Sequence, residues 1–161
     1  MINEFNIKEV LEKEIDLIQA CIERMSQHSF QLKGWLITLI GVLLALGAKE
    51  IILVNIFLIF ISITFWYLNA VYLRYEKQYR ELYAWVIKER VKGNTKYLYD
   101  LDISRFDNVD SRKSLMFKNT LKIFYGTVTT LLIILLVVLL LKENWIYIVK
   151  FLKLIICNIN I

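Results

Sequence analysis

The chain is 161 residues long, one domain's worth, with a formal net charge of +5, yet 58% of it is apolar and its mean hydropathy is +0.53. A water-soluble domain of this size has too few polar residues to cover that much apolar surface, so lipid is implied as the solvent. The basic residues stand beside apolar spans, where anionic lipid is the partner at hand, and no nucleic acid is expected.

Proline is absent, which permits long uninterrupted helices. Residues 4–29 read as a helix within a cytoplasmic segment, 1–29. Its apolar positions Leu11, Ile15, Ile18, Ile22 and Met25 recur at alternating steps of four and three, the repeat of helices that supercoil with a partner. Two uses are open: packing on the chain's own cytoplasmic region, or a seam that sets a homo-oligomer. His28 is the only histidine, and with no nucleophile or carboxylate motif beside it, it reads as a polar interface residue.

The first transmembrane helix is expected over 30–48. The uncharged run Gly34–Ala48 covers roughly 22 Å as a helix, short of the roughly 30 Å hydrocarbon core, so the span extends back through Phe30 and takes Lys33 inside it. Lys33 is then an anchor that snorkels toward lipid phosphates, with Trp35 at headgroup level. The alternative is that Lys33 faces a partner helix or an aqueous lumen.

Only Lys49 and Glu50 separate this span from the next, Ile51–Leu73, so the two form a tight hairpin. The helical pattern continues through Tyr72, Tyr75, Tyr79, Tyr83 and Val86, which predicts one helix over 51–92 projecting into the cytoplasm and closed by Gly93-Asn94. Residues 93–122 read as a cytoplasmic loop followed by a basic amphipathic segment. Asp100, Asp102, Asp107 and Asp110 lack the glycine and glutamate spacing of a calcium loop, and a solvated loop is expected. The third span is 123–141. The tail, 142–161, is apolar but interrupted by Lys150 and Lys153, which suggests an interfacial helix, with a fourth span as the alternative.

The predicted fold class is therefore an all-α membrane protein: three transmembrane helices, long cytoplasmic helical extensions and a C-terminal interfacial helix. The stretches before Gly34, Lys33 included, and between the second and third spans hold sixteen Lys and Arg, against four at the hairpin tip and tail. The positive-inside rule puts the N-terminus and residues 74–122 in the cytoplasm. The first thirty residues have no apolar core of a signal peptide. Cys21 and Cys157 then lie on opposite sides of the membrane, so no disulfide is expected, and no cysteine or histidine cluster suggests a metal or other cofactor.

Polar residues inside a span are functional candidates. Asn55 and Ser62 are seven apart, so they share a helix face, and Asn69 continues it. This stripe is either interhelical glue or the lining of a pore between copies, weakly selective because no charged ring accompanies it. No HExxH, G-x-S-x-G or paired intramembrane aspartates exist, so an enzyme is not expected.

The runs "SFQLKGW" and "FWYLNAVYLRYEKQYRELY" resemble a group of small bacterial membrane proteins carrying S-F-x-x-K-G-W before one span and F-W-x-L-D-A-x-Y-L-R-x-E-x-x-x-R-x-L-Y after the next. Ser29, Phe30, Lys33, Gly34 and Trp35 match the first motif. Phe65, Trp66, Leu68, Ala70, Tyr72, Leu73, Arg74, Glu76, Arg80, Leu82 and Tyr83 match the second, with Asn69 where the motif has aspartate. In plan the group is similar to transmembrane effectors of anti-phage defence, such as the SLATT class. The resemblance implies an oligomeric effector of the bacterial inner membrane that forms a pore or disrupts the bilayer when triggered. The competing expectation is a non-conducting, membrane-anchored scaffold that docks a cytoplasmic protein partner; a holin-like lysis protein is a third.

Overall fold

Among the described residues the chain folds into α1 (Glu4–Leu46), α2 (Ile51–Val91), α3 (Arg112–Met116) and α4 (Asn119–Ile159), with a 3-10 turn at Ser104–Phe106 between α2 and α3. The computed structural model describes the backbone of residues 4–47 and 49–159 and the side chains of residues 8–47 and 49–145. It is 84% helix, with no strand among the described residues. Three helices are long and apolar enough to cross a membrane, within Lys8–Leu46, Ile51–Val91 and Asn119–Trp145. The protein is an all-α membrane protein.

Nothing in the sequence breaks α1 between its polar and apolar halves, and it runs unbroken for 43 residues. It turns into α2 at Gly47, whose N–H donates to the Leu43 carbonyl at 2.9 Å, while Glu50 N–H reaches the Gly47 carbonyl at 3.1 Å. A Cβ at position 47 would lie 2.8 Å from the Val54 side chain, so only glycine lets the helices meet this closely. At 41 residues α2 is roughly 62 Å long, about twice the hydrocarbon thickness. The halves of α1 and α2 remote from the hairpin tip therefore leave the bilayer together as an antiparallel stem.

Two apolar clusters hold the molecule. The stem cluster is built on Ile18, Leu82 and Val86, flanked by Leu11, Ile22, Tyr79 and Tyr83 and covered by Leu101, Ile103 and Phe106. Three of the five seam positions of α1, Leu11, Ile18 and Ile22, thus pack against α2 of the same chain. The second cluster sits where the stem meets the spans: Leu36, Ala70, Leu115, Leu121 and Tyr125 are buried, with Phe65 and Trp66 against them. The Trp66 indole N–H donates to the Met116 carbonyl at 2.8 Å, fixing the start of α4 beside α2.

The connection from α2 to α4 is more ordered than a solvated loop. Gly93, at φ +76°, ends α2 with paired bonds, Gly93 N–H to the Arg90 carbonyl (2.9 Å) and Asn94 N–H to the Glu89 carbonyl (3.0 Å). This Schellman arrangement needs a left-handed residue. Leu101, Ile103 and Phe106 then fold the loop onto the stem, an apolar triplet hidden among aspartates in the sequence. Ser111 caps α3 by accepting from Ser114 N–H at 3.2 Å. The final helix starts at Asn119, earlier than residue 123, and runs on through Ile159 without a break at Lys142. No glycine or proline follows Gly126, so nothing breaks the helix between the third span and the tail. Lys150, Lys153 and Cys157 have side chains outside the described residues, whereas Cys21 is a buried free thiol.

Candidate functional site

Along α2, Asn55, Ser62 and Asn69 are all buried in the interior of the single chain. The face they form looks inward. In the single chain none of the three is accessible from outside.

Asn69 is the best-connected of the three. Its amide N–H donates to the Tyr125 hydroxyl at 2.9 Å and to the Ser29 carbonyl at 3.2 Å, while the Ser29 hydroxyl donates to its carbonyl oxygen. One side chain thus ties α1, α2 and α4 together. Two turns toward the hairpin tip, the Ser62 and Thr129 hydroxyls share a hydrogen bond of 3.0 Å. In hydrocarbon such bonds associate helices because water offers no competing partner. Two turns further, Asn55 has neither its Nδ2 nor its Oδ1 hydrogen-bonded, although it is fully buried. The threonines of the first two spans satisfy themselves: Thr38 donates to the Gly34 carbonyl and Thr64 to the Phe60 carbonyl, each at 3.0 Å.

Lys33 and Trp35 occupy different surroundings. Trp35 is exposed on the outer face of α1, where an interfacial anchor belongs. Lys33 is half-buried, with its ammonium 5.8 Å from the Phe124 ring centroid on α4. It is therefore turned toward a helix of its own chain. His28 lies nearby, 3.3 Å from Gln31 Oε1 and 5.3 Å from the Tyr72 ring centroid.

A second polar centre, at the far end of the stem, was not among the expected sites. Glu14 and Arg90 form a two-pronged ion pair, Arg90 Nε to Glu14 Oε2 and Arg90 Nη2 to Glu14 Oε1, both at 2.8 Å. Their side chains are 1% and 2% exposed. The remaining guanidinium protons go to the carbonyls of Asn94 (2.6 Å), Lys96 (3.0 Å) and Tyr97 (3.1 Å), so all five donors are used. Glu14 also accepts from Tyr99 N–H at 3.0 Å. Tyr97 and Tyr99 sit at φ 58° and 56°, a left-handed backbone uncommon for bulky residues. The signal that could have found the pair is a charge in phase with an apolar stripe on each helix: Arg90 follows Leu82 and Val86 at four-residue steps, and Glu14 precedes Ile18 by four.

The aspartates set aside as calcium ligands act as ties. Asp107 accepts from Arg74 at 2.7 Å, Asp110 pairs with Lys77 and with Lys118 (3.0 Å), and Asp100 pairs with Arg105 (3.0 Å). Arg105 in turn lies 4.0 Å over the Tyr97 ring and 5.3 Å over Trp85. Among the described residues no group of three metal-ligating side chains converges. An open concavity of about 540 Å³ lies on this face, lined by Lys77, Arg80, Glu81, Arg105, Phe106 and Asp110 among others.

No protein-family model, curated protein or solved structure matches the chain.

Proposed function

We propose that this chain is a non-enzymatic membrane anchor that docks a cytoplasmic protein partner on its stem and conducts nothing by itself. One observation carries this reading: Ser62 and Asn69 are engaged within the chain, leaving the described outer faces of the spans largely apolar. The surface that remains for recognition is the mixed-charge concavity on the stem, with Lys77, Arg80 and Arg105 facing Glu81 and Asp110. Mixed charge suits a folded protein surface better than a uniformly anionic ligand. The excess of Lys and Arg on this side supports a cytoplasmic stem in a bacterial inner membrane.

The second reading is the oligomeric effector of anti-phage defence, which forms a pore or breaches the bilayer when triggered. Asn55 favours it. A fully buried amide without partners is costly in a bundle, and a rearrangement that let water or a second copy reach it would recover those bonds. The resemblance of the Ser29–Trp35 and Phe65–Tyr83 motifs supports the same reading.

Ion flux from liposomes containing the purified protein, wild type beside Asn55→Leu, separates the two. The anchor predicts no flux above empty liposomes in either protein. Flux in the wild type that Asn55→Leu abolishes would overturn it in favour of the effector.

A further inference from the structure

At the start of α4 two concavities join into one amphiphilic site. The first is a polar cup of about 580 Å³ formed by Ser114, Phe117, Lys118, Asn119 and Thr120. The second is a groove, also about 580 Å³, that runs down α4 over Ile123, Gly126, Thr130 and Leu131 with Trp66 on its wall. Phe117 and Asn119 belong to both, so the polar cup opens directly into the apolar groove. Gly126 and Thr130 are four apart, on one helix face, and their small size makes the floor: nothing lies within 4 Å of where a Gly126 Cβ would stand. The walls are apolar and unpartnered, with Phe117 64%, Ile123 68% and Leu131 61% exposed.

Charge identifies what fills it. Residues 111–122 hold Arg112, Lys113, Lys118 and Lys122 and no acid. Asp110 takes one of them, Lys118, and shares itself with Lys77. No carboxylate among the described residues pairs with Arg112, Lys113 or Lys122. Of these, Lys122 lines the groove, so an unpaired ammonium stands at the mouth of an apolar groove, inside the helix segment apolar enough to span, with Lys118 beside it in the cup.

We propose that this site binds one anionic phospholipid, its phosphate at Lys122, Lys118 and Asn119 and an acyl chain laid over Gly126 and Thr130. A zwitterionic lipid would leave the basic cluster unbalanced, and a free phosphate would leave the groove walls uncovered. The proposal rests only on the chain being membrane-embedded, so it stands or falls separately from the anchor and effector readings.

Native mass spectrometry of the detergent-purified full chain, titrated with dioleoylphosphatidylglycerol, dioleoylphosphatidylcholine or inorganic phosphate, tests it. The expected result is one phosphatidylglycerol retained per chain about tenfold more tightly than phosphatidylcholine, as a few headgroup-facing lysines supply. Lys122→Gln should lower that preference about fivefold. Gly126→Leu, which fills the groove with a better helix former, should lower retention of the lipid by a similar factor. Lys142→Gln, at the other end of the span, should change nothing. Equal retention of the two lipids overturns the proposal, as does indifference to Lys122→Gln and Gly126→Leu, an equal loss in Lys142→Gln, or retention of inorganic phosphate as strong as that of the lipid.

Discussion

Glu14 and Arg90, 76 residues apart in sequence, meet side-on through two 2.8 Å hydrogen bonds in a site that excludes water. The pair closes the stem at its far end and gathers the loop, because the same guanidinium holds three loop carbonyls. Removing one partner leaves an uncompensated buried charge, which costs about 3–5 kcal/mol. Glu14→Ala and Arg90→Ala should each lower the thermal midpoint and open residues 93–106 to proteolysis. Glu14→Met/Arg90→Met should recover part of the loss in midpoint and none of the protease resistance, since the loop carbonyls stay unpaired. Equal protease resistance in Arg90→Ala and wild type would refute the gathering role.

The intramembrane stripe yields a prediction with opposite signs at two asparagines. Asn69→Leu strands the Tyr125 and Ser29 groups it now satisfies, a loss of about 1–3 kcal/mol. Asn55→Leu replaces an amide with no partners by a side chain of similar size, and should stabilise by about 1–3 kcal/mol. Thermal unfolding of both variants in the same detergent checks the pair. A destabilised Asn55→Leu would mean that the amide has a partner in the membrane that a single chain does not supply.

Much of this architecture was legible because its signals are local. Hydropathy marked the three spans, and the run through Tyr72, Tyr79 and Val86 to Gly93 marked where α2 ends, since a left-handed glycine after a periodic helix is a strong stop. What stayed hidden depends on partners far away in sequence. The stripe of Asn55, Ser62 and Asn69 is visible as a face, but whether it looks inward or outward is decided by Ser29, Tyr125 and Thr129 on other helices. The seam of Leu11 to Met25 likewise announces a partner without naming it; at Leu11, Ile18 and Ile22 that partner is α2 of the same chain, brought there by the hairpin at Gly47. The tail's helical character was legible as well: Lys150 and Lys153 interrupt its apolarity without interrupting the helix, which runs through Ile159.

Acid should loosen the loop before it affects the spans. Hydrogen bonds from Lys77 and then Lys118 hold the Asp110 carboxyl below its ordinary 3.8, and the Ser104 backbone N–H and hydroxyl lower Asp102 in the same way. A carboxyl whose folded value is the lower one favours the folded loop when ionised. Its contribution is therefore complete well above pH 3.8 and is lost as pH falls through the lowered values. Trp85 reports the change, because the Phe106 ring of the loop packs 6.4 Å from it. Its fluorescence, in a variant with the other tryptophans replaced by Phe, should shift below pH 4 while far-UV helicity persists. Asp110→Asn should show part of that shift already at pH 7, and a wild-type shift complete by pH 6 would contradict the assignment.

Orientation follows from charge alone and is the simplest expectation to test. Sixteen of twenty basic residues lie in the two segments at the stem end, and moving them across a bilayer against the insertion bias is unfavourable. Lys49 at the hairpin tip and Lys96 in the loop should therefore face opposite compartments. With Cys21→Ala and Cys157→Ser as background, Lys96→Cys should resist a membrane-impermeant maleimide in intact cells and react once they are broken. Lys49→Cys should react in both. The reverse pattern would put the stem outside, remove the cytoplasmic partner from the proposed function, and leave the lipid groove on the outer leaflet.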